Sequence, residues 1–576
     1  MPIPGTEPFG PATLPQALVA NARRKPDAVF LRVVDPRAPD APPRAITFAG
    51  FERLVRRAAA FLAGLRLGPG DRILILSEND PGWQAFSLAA QALRAEPAAL
   101  FAQLGAEQAA SIALRVRPRV VIASTEAQWA KLAPVAAQLA EAGLSAVVTE
   151  VAIDPRSLPA GVRSHSSRQI LEADAAPELS AAELEQLVRV QEGEDPFLLL
   201  FTSGTTGRPK GVRLPQRAMM HAIEGGRAAT GCREDDVGLH FLPFGHVAGH
   251  DQFMLALAQG HGLVMVSRRE DFQRGFALGP TYLFSVPLVY ERIREEVRAR
   301  LARVAAPLRP LARLLTGRSV RRRLGGRVRA LYAGGAATPP GLAAFFEGLG
   351  LPFVELYGMS ETAGLISSNL LRGARPSGSA GHLSSHLEAR VSDDGELCVR
   401  GGTLMTGYLD PADEEDAYTP DGFFRTGDLA RFASDGTLEV QGRKKSLLVL
   451  STGKKVSPEL IEQAIAAVPP FAGAVLLGDG RPFVAVAVFV PRPELERLGA
   501  SYADLPAELL RRIRSALGAL SDYEKPKLLL VVPGSPDEVP GLLTPTLKLK
   551  RDAFLARMRD EVERLYAGAA TRAAAS

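Results

Sequence analysis

Short apolar runs recur between amphipathic segments along the N-terminal part of the chain, and this alternation constrains the fold more than any other feature. LPQALVANARRKP, starting at Leu14, has helical periodicity, and DRILILS (71–77) reads as a buried strand. Trp83 to Arg94 reads as a helix, and VVIA (120–123) and AVVT (146–149) as further strands with helical segments between them. A strand apolar at successive positions carries apolar side chains on both faces, so both faces need cover. Strands alternating with helices meet that need as parallel sheets covered on both sides. The expected class is α/β. A large N-terminal domain of parallel and mixed sheets covered by helices carries a β-rich subdomain, and a small α+β domain follows at the C-terminus.

The polar, Ala- and Glu-rich stretch 150–192 is expected to be loop and helix leading into the apolar run Phe197–Leu200. Beyond residue 380 the pattern changes. SDDGELCV and RFASDGTLEV each set Asp-Gly between alternating apolar residues, a hairpin signal. GRKKSLLVLSTGKKVSPELIEQAI then reads as a short strand, a loop and a helix opened by Ser457-Pro458. The boundary is placed at residue 442, giving domains 1–441 and 442–576.

Apolar content of 46% and charged content of 23% over 576 residues fit a globular protein of several domains. A net charge of +5 is mild for this length and does not call for nucleic acid. Cys232 and Cys398 match no metal or redox spacing, which fits a reduced compartment. The opening MPIPGTEPFGPATL lacks a basic region and an apolar region, and no run of about 18 apolar residues exists, so neither a secretion signal nor a membrane span is expected. The expected localisation is cytoplasmic, with peripheral attachment at the inner membrane face as an extension of it.

Directly after Phe197–Leu200 stands FTSGTTGRPKG (201–211), which packs hydroxyls, glycines and one lysine into a short loop. Backbone N–H groups, hydroxyls and an ammonium all suit phosphate oxygens. The loop is not a Walker A motif: counted from Gly204, Lys210 falls in place, but Pro209 and Gly211 stand where glycine and Ser or Thr are required. Four more chemistry-bearing stretches follow: ELYGMSET (355–362), FRTGDL (424–429), GRKK (442–445) and TPTLKLKR (544–551).

These five stretches, in this order, resemble the signature motifs of the adenylate-forming enzymes, which include acyl-CoA synthetases, firefly luciferase and peptide-synthetase adenylation domains. Residues 202–211 match that family's TSGTTGxPKG loop in full. The resemblance is strongest to bacterial long-chain acyl-CoA synthetases and spans residues 202–551, with a looser likeness before it. It implies ATP, Mg²⁺ and coenzyme A as cofactors, and a fatty acid and CoA as substrates. Nucleic acid is not expected, and no obligate protein partner is evident.

Residue by residue, the resemblance assigns Thr202, Ser203, Gly204, Thr205, Thr206, Gly207 and Lys210 to the ATP phosphates. Adenine binding falls to Glu355, Leu356, Tyr357, Gly358, Met359 and Ser360, flanked by Gly335 and Ala336. Tyr357 can stack on a purine, and Gly358 lets the backbone approach it. Asp428 offers two acceptor oxygens to a ribose diol, and the resemblance assigns Arg443 to the same nucleotide. Glu361, with Thr202, suits Mg²⁺, a hard cation that takes oxygen ligands. In the last motif Lys548 lies three residues before Arg551 and is the expected catalytic lysine, acting with Lys210 and Glu361. Leu547 replaces the family's usual glycine, and Lys550 is the competitor. Lys445 is the expected hinge, with Ser446 in place of a frequent aspartate. Thr452, Gly453 and Lys454 form the expected CoA-binding loop, and His246, Gly334 and Gly335 the acyl pocket.

His246 and His250 have zinc-helix spacing, but Val247 stands where H-E-x-x-H needs glutamate. Fatty acyl-AMP ligases, which load carrier proteins, share these motifs but carry an insertion after the hinge, and the spacing from Gly442 to Ser457 is compact. Amino-acid-activating domains hold the amine with an aspartate near the pocket start, and Phe244–Gly249 contains none. A non-catalytic acyl- or nucleotide-binding relative is at odds with intact Lys210, Glu361, Asp428 and Lys548. Residues 292–329 hold thirteen arginines, read either as a solvated helical face or as a patch for weak association with anionic membrane.

Overall fold

The structure is a computed structural model that describes residues 3, 8–202, 208–302, 309–339, 341–373, 375–376, 378–500, 504–518, 520–543 and 549–574. Two large sheets dominate it. In one, strands Pro196–Thr202, Glu96–Phe101, Arg72–Ser77, Val120–Ala123, Ala146–Thr149 and Arg163–Ser166 run parallel, and Lys210–Pro215 and Gly407–Tyr408 close one edge antiparallel. In the other, Val29–Val34, Gly262–Val266, Val237–His240, Tyr282–Ser285, Ala330–Ala333 and Phe353–Tyr357 are parallel, with short antiparallel strands at both edges.

The all-apolar strands divide their side chains as their period dictates. Ile73 and Ile75 enter the core shared with the second sheet, while Leu74 and Leu76 enter an outer core under helices Ala106–Val116 and Ala136–Glu141. The shared layer between the sheets includes helices Phe48–Gly64, Pro81–Ala92, Gln216–Thr230 and Val247–Gln259. Local chemistry starts these helices. Pro81 occupies the first turn of its helix, and Asp80 accepts a hydrogen bond from the Trp83 N–H at 2.9 Å. On the outer face of the second sheet, Tyr290, Val297 and Val320 anchor helices Pro287–Ala302 and Arg309–Arg323, which carry the arginine-rich sequence.

Both expected hairpins are present. Leu387–Val391 pairs with Glu396–Gly401, and Phe424–Phe432 with Leu438–Arg443, within one four-stranded antiparallel sheet. After residue 443 come the two-stranded ribbon Leu448–Val449 and Lys455–Val456, helix Pro458–Ala466, and a three-stranded sheet with its own apolar core. One expectation fails: 150–192 is not only loop and helix, because Arg163–Ser166 forms the edge strand of the first sheet. An edge strand is half-covered and needs no apolar alternation, so RSHS carries no strand signal.

The phosphate-type loop joins two antiparallel strands, with Thr202 opposite Lys210. Lys210 opens a strand and not a helix, which separates this architecture from P-loop folds.

Candidate active site

A cavity of about 1360 Å³ opens at the carboxyl ends of the parallel strands of both sheets, the place where open α/β sheets bind ligands. Leu100 and Phe101, Phe201 and Thr202, Phe284, Tyr332, and Leu356 with Gly358 all reach it from such strand ends. Its other walls are stripes of two shared helices. Ala222, Ile223, Gly226 and Thr230 face it from Gln216–Thr230, and Val247, Ala248, Asp251, Gln252 and Leu255 from Val247–Gln259. Spacings of one, four and eight residues in the first helix, and of one, four, five and eight in the second, mark a single face of each.

The polar end gathers several residues named from the sequence. Lys210 donates to the Asp413 carbonyl at 2.9 Å and lies 4.7 Å above the ring centre of Tyr408. The Tyr408 hydroxyl donates to Glu361 Oε1 at 3.0 Å, so one tyrosine touches both the lysine and the acid. Glu361 is 7% exposed, and burial pushes its carboxyl above the usual range, opposed by the Tyr408 hydrogen bond and by Arg443 and Lys210. Thr202, Gly358, Met359 and Ser360 line the same end. Tyr408 and Asp413 belong to no motif. Their neighbourhood to Lys210 is made by the pairing of Gly407–Tyr408 with Val212 and Arg213.

Strand alternation separates the adenine-type motif. Leu356 and Gly358 line the cavity, whereas Glu355 and Tyr357 do not. Glu355 accepts from Asn369 Nδ2 at 3.3 Å, and burial pushes its carboxyl up. Tyr357 turns its hydroxyl to Asp428 Oδ2 at 2.5 Å, and Arg443 Nε lies 2.7 Å from Asp428 Oδ1. Asp428 is therefore no solvated turn residue. It is 4% exposed, both its oxygens have protein partners, and Thr426, Gly427 and Arg443 reach the cavity instead. Asp428 and Arg443 are cross-strand partners of one hairpin, which explains the ion pair.

His246 lines the cavity as the cap of helix Val247–Gln259, its Nδ1 accepting from the Ala248 N–H at 3.2 Å. His250 lies inside the protein, its Nε2 2.7 Å from the Phe244 carbonyl, and burial pushes it down to about 3. The two do not form a metal pair. Gly334 and Gly335 line the cavity; Ala336 does not.

From the C-terminal part, Lys445, Leu543 and Lys550 line the cavity. Lys548 lies outside the described residues, as do Ser203, Gly204, Thr205, Thr206 and Gly207. The loop Thr452-Gly453-Lys454 is exposed and turned away, with Lys454 4.4 Å over the Tyr523 ring.

Asp251 stands one turn into helix Val247–Gln259, just past the stretch in which the sequence shows no pocket acid. Its signal was a single acid on the helical stripe that faces the cavity, visible only once the inward face is known.

Comparison with known proteins agrees in extent and order. Residues 18–409 match the AMP-binding enzyme family, and residues 445–570 match the AMP-binding enzyme C-terminal domain. Similar proteins include the long-chain-fatty-acid–CoA ligase FadD15 of Mycobacterium bovis, 29% identical over 95% of this chain and 96% of its own. The putative fatty-acid–CoA ligase fadD11 of Mycobacterium tuberculosis is 32% identical over 67% and 76% of the two chains. The A domain of carboxylic acid reductase from Segniliparus rugosus shares the fold, with a TM-score of 0.76 at 21% identity, covering 96% of this chain and 94% of that one. The chain belongs to the family of AMP-binding enzymes.

Proposed function

We propose that this enzyme activates a fatty acid with ATP, forming acyl-AMP and pyrophosphate, and then transfers the acyl group to CoA with release of AMP. The observation that carries this reading is the continuity of one cavity. A polar end with Lys210, Thr202 and Glu361 opens into a passage walled by Ala222, Ile223, Gly226, Leu255, Phe284 and Leu365. The first end suits a polyphosphate and the second an alkyl chain. The naming of the mycobacterial relatives as fatty-acid–CoA ligases supports the same reaction.

In this reading the carboxylate of the acid attacks the α-phosphate. Lys210 and the hydroxyls of the 202–207 loop hold the phosphates, and Lys548 stabilises the charge that develops at the α-phosphate. The donors Glu361 and Thr202 are oxygens and fit Mg²⁺, which would neutralise phosphate charge. Asp428 holds the ribose, exchanging its Arg443 or Tyr357 contact for the diol. For the second half-reaction the unit from residue 442 swings about Lys445 and brings Thr452, Gly453 and Lys454 to the cavity for CoA. The turned-away position of that loop, with Leu543 and Lys550 at the cavity, supports an adenylation-type orientation in this structure. The compact 442–457 segment favours CoA over a carrier protein as acceptor. No helix among the described residues is long and apolar enough to cross a membrane.

ATP–pyrophosphate exchange over a panel of carboxylic acids, followed by AMP release with and without CoA, tests the proposal. Fatty acids should drive exchange, and CoA should be required for sustained AMP release. Exchange driven best by acetate or an amino acid, or AMP release indifferent to CoA, would overturn it.

A further inference from the structure

Asp251 lines the acyl part of the cavity, yet its carboxyl has no hydrogen-bond or ionic partner among the described residues, and its Oδ1 is sealed from solvent. Asp251 as a whole is half-buried with only its Oδ1 sealed, and a polar atom sealed in a protein wall is nearly always paired, so an unpaired carboxyl on a cavity wall points to a partner that enters the cavity. The surrounding backbone accommodates it. Gly364 has φ +94°, and a Cβ there would fall on the Asp251 carboxyl. The acid is therefore packed directly against the Gly364 backbone, three residues after Glu361.

We infer that Asp251 is a substrate-recognition group, and that the acid taken by this enzyme carries a hydroxyl on its chain close to the carboxyl end. This rests on the ligase reading above. Two placements set the position. Asp251 lies five residues beyond His246, about 7.5 Å along the helix from that mouth, and it touches Gly364 beside the polar end. Past it, Ala222, Ile223, Gly226, Leu255 and Leu365 give the rest of the chain an apolar path. Tyr332 and Thr230 further in are already engaged, with the carbonyls of Thr230 and Gly226, and Tyr282 with His261.

A hydroxyl suits the site better than an ammonium. Desolvation with no compensating contact shifts the Asp251 carboxyl upward, which favours its neutral form, and a neutral carboxyl offers one donor and one acceptor. A hydroxyl offers the same two. An ammonium would need a buried ion pair and further acceptors, and the adjacent Gln252 is committed to His240 and to the Leu239 carbonyl.

The test compares kcat/KM for decanoic acid with its second-carbon and third-carbon hydroxy derivatives and its third-carbon amino derivative, read as CoA-dependent AMP release by the full chain. One hydroxy acid should exceed decanoic acid by about tenfold or more in wild type, because an acid without the hydroxyl leaves the half-buried carboxyl unpaired. Asp251→Asn, which keeps a donor and an acceptor, should retain part of that ratio, and Asp251→Leu should reverse it. Each ratio is taken within one protein sample, so poor folding of a variant lowers both rates and leaves the ratio intact. Equal kcat/KM in wild type, preference for the amino acid, or an unchanged ratio in Asp251→Leu would overturn the inference and leave the ligase reading standing. If none of the acids releases AMP, the ligase reading falls with it.

Discussion

Two aspartates at one cavity, Asp428 buried and Asp251 half-buried, show how differently its two ends are built. Asp428, at the polar end, is held through both oxygens by Arg443 and Tyr357. Asp251, at the acyl end, has no partner among the described residues. The first is preorganised by the protein before any ligand arrives. The second is left costly in the free protein, which makes sense only where a ligand repays the cost. The polar end is thus assembled from contacts within the protein, while the acyl end depends on what fills it.

The largest effect expected from breaking this contrast is at the polar end. Lys548→Ala should lower acyl-AMP formation by about 10²–10³-fold, the usual consequence of removing one preorganised charge-stabilising donor. Thioester formation from supplied acyl-AMP should persist, because charge builds at the α-phosphate only in the first step. Lys550 lines the cavity and is the control. If Lys550→Ala and not Lys548→Ala removed adenylation, the register of the last motif would be off by two residues.

A smaller effect should come from filling the acyl end. A Cβ at Gly226 would meet nothing within 4 Å, whereas one at the neighbouring Gly225 would lie 2.8 Å from Leu365 Cδ2. Gly226→Phe should project into the passage and lower kcat/KM for long acids by about tenfold or more, with short acids spared. A length profile unchanged by Gly226→Phe would mean that the acyl chain takes another path.

The smallest effect is on stability, and its sign follows from the orphan carboxyl. Below the unfolded carboxylate pKa of about 3.9, Asp251 is protonated in both states and contributes no pH dependence. As pH rises past that value the unfolded chain releases its proton and the folded chain does not, since burial raises the folded pKa, so stability falls until the pH passes that raised pKa. Asp251→Asn removes this loss. The melting temperature of the variant should exceed that of wild type by about 1–3 °C near neutral pH, with the gap shrinking towards pH 4. A gap that is constant with pH would show that Asp251 does not carry the titration.

The two ends also differ in how far they can be read from the sequence. Lys210, Glu361 and Asp428 lie in contiguous motifs, because a nucleotide is gripped by short loops at strand ends, and such loops keep their residues adjacent in the chain. Glu355 and Tyr357 sit in a motif too, yet the alternation of their strand turns them away from the cavity. Tyr408 bridges Lys210 and Glu361 with no motif of its own, placed only by the pairing of its strand with Val212 and Arg213. The strand Arg163–Ser166 had no apolar signature because an edge strand is only half-covered.

The sequence by itself determined the class of architecture and the chemistry at the polar end. All-apolar strands such as RILILS must be covered on both faces, and a loop of hydroxyls, glycines and lysine after such a strand suits phosphates. The tertiary structure alone decided the acyl end. A tunnel is the space left between elements far apart in the chain, here Gly226, Asp251, Phe284 and Gly364, and no local pattern records which faces of packed helices point into it. Asp251 is an ordinary acid in the sequence, and it becomes a recognition group only because folding sets it on the wall of a passage and gives it no partner among the described residues.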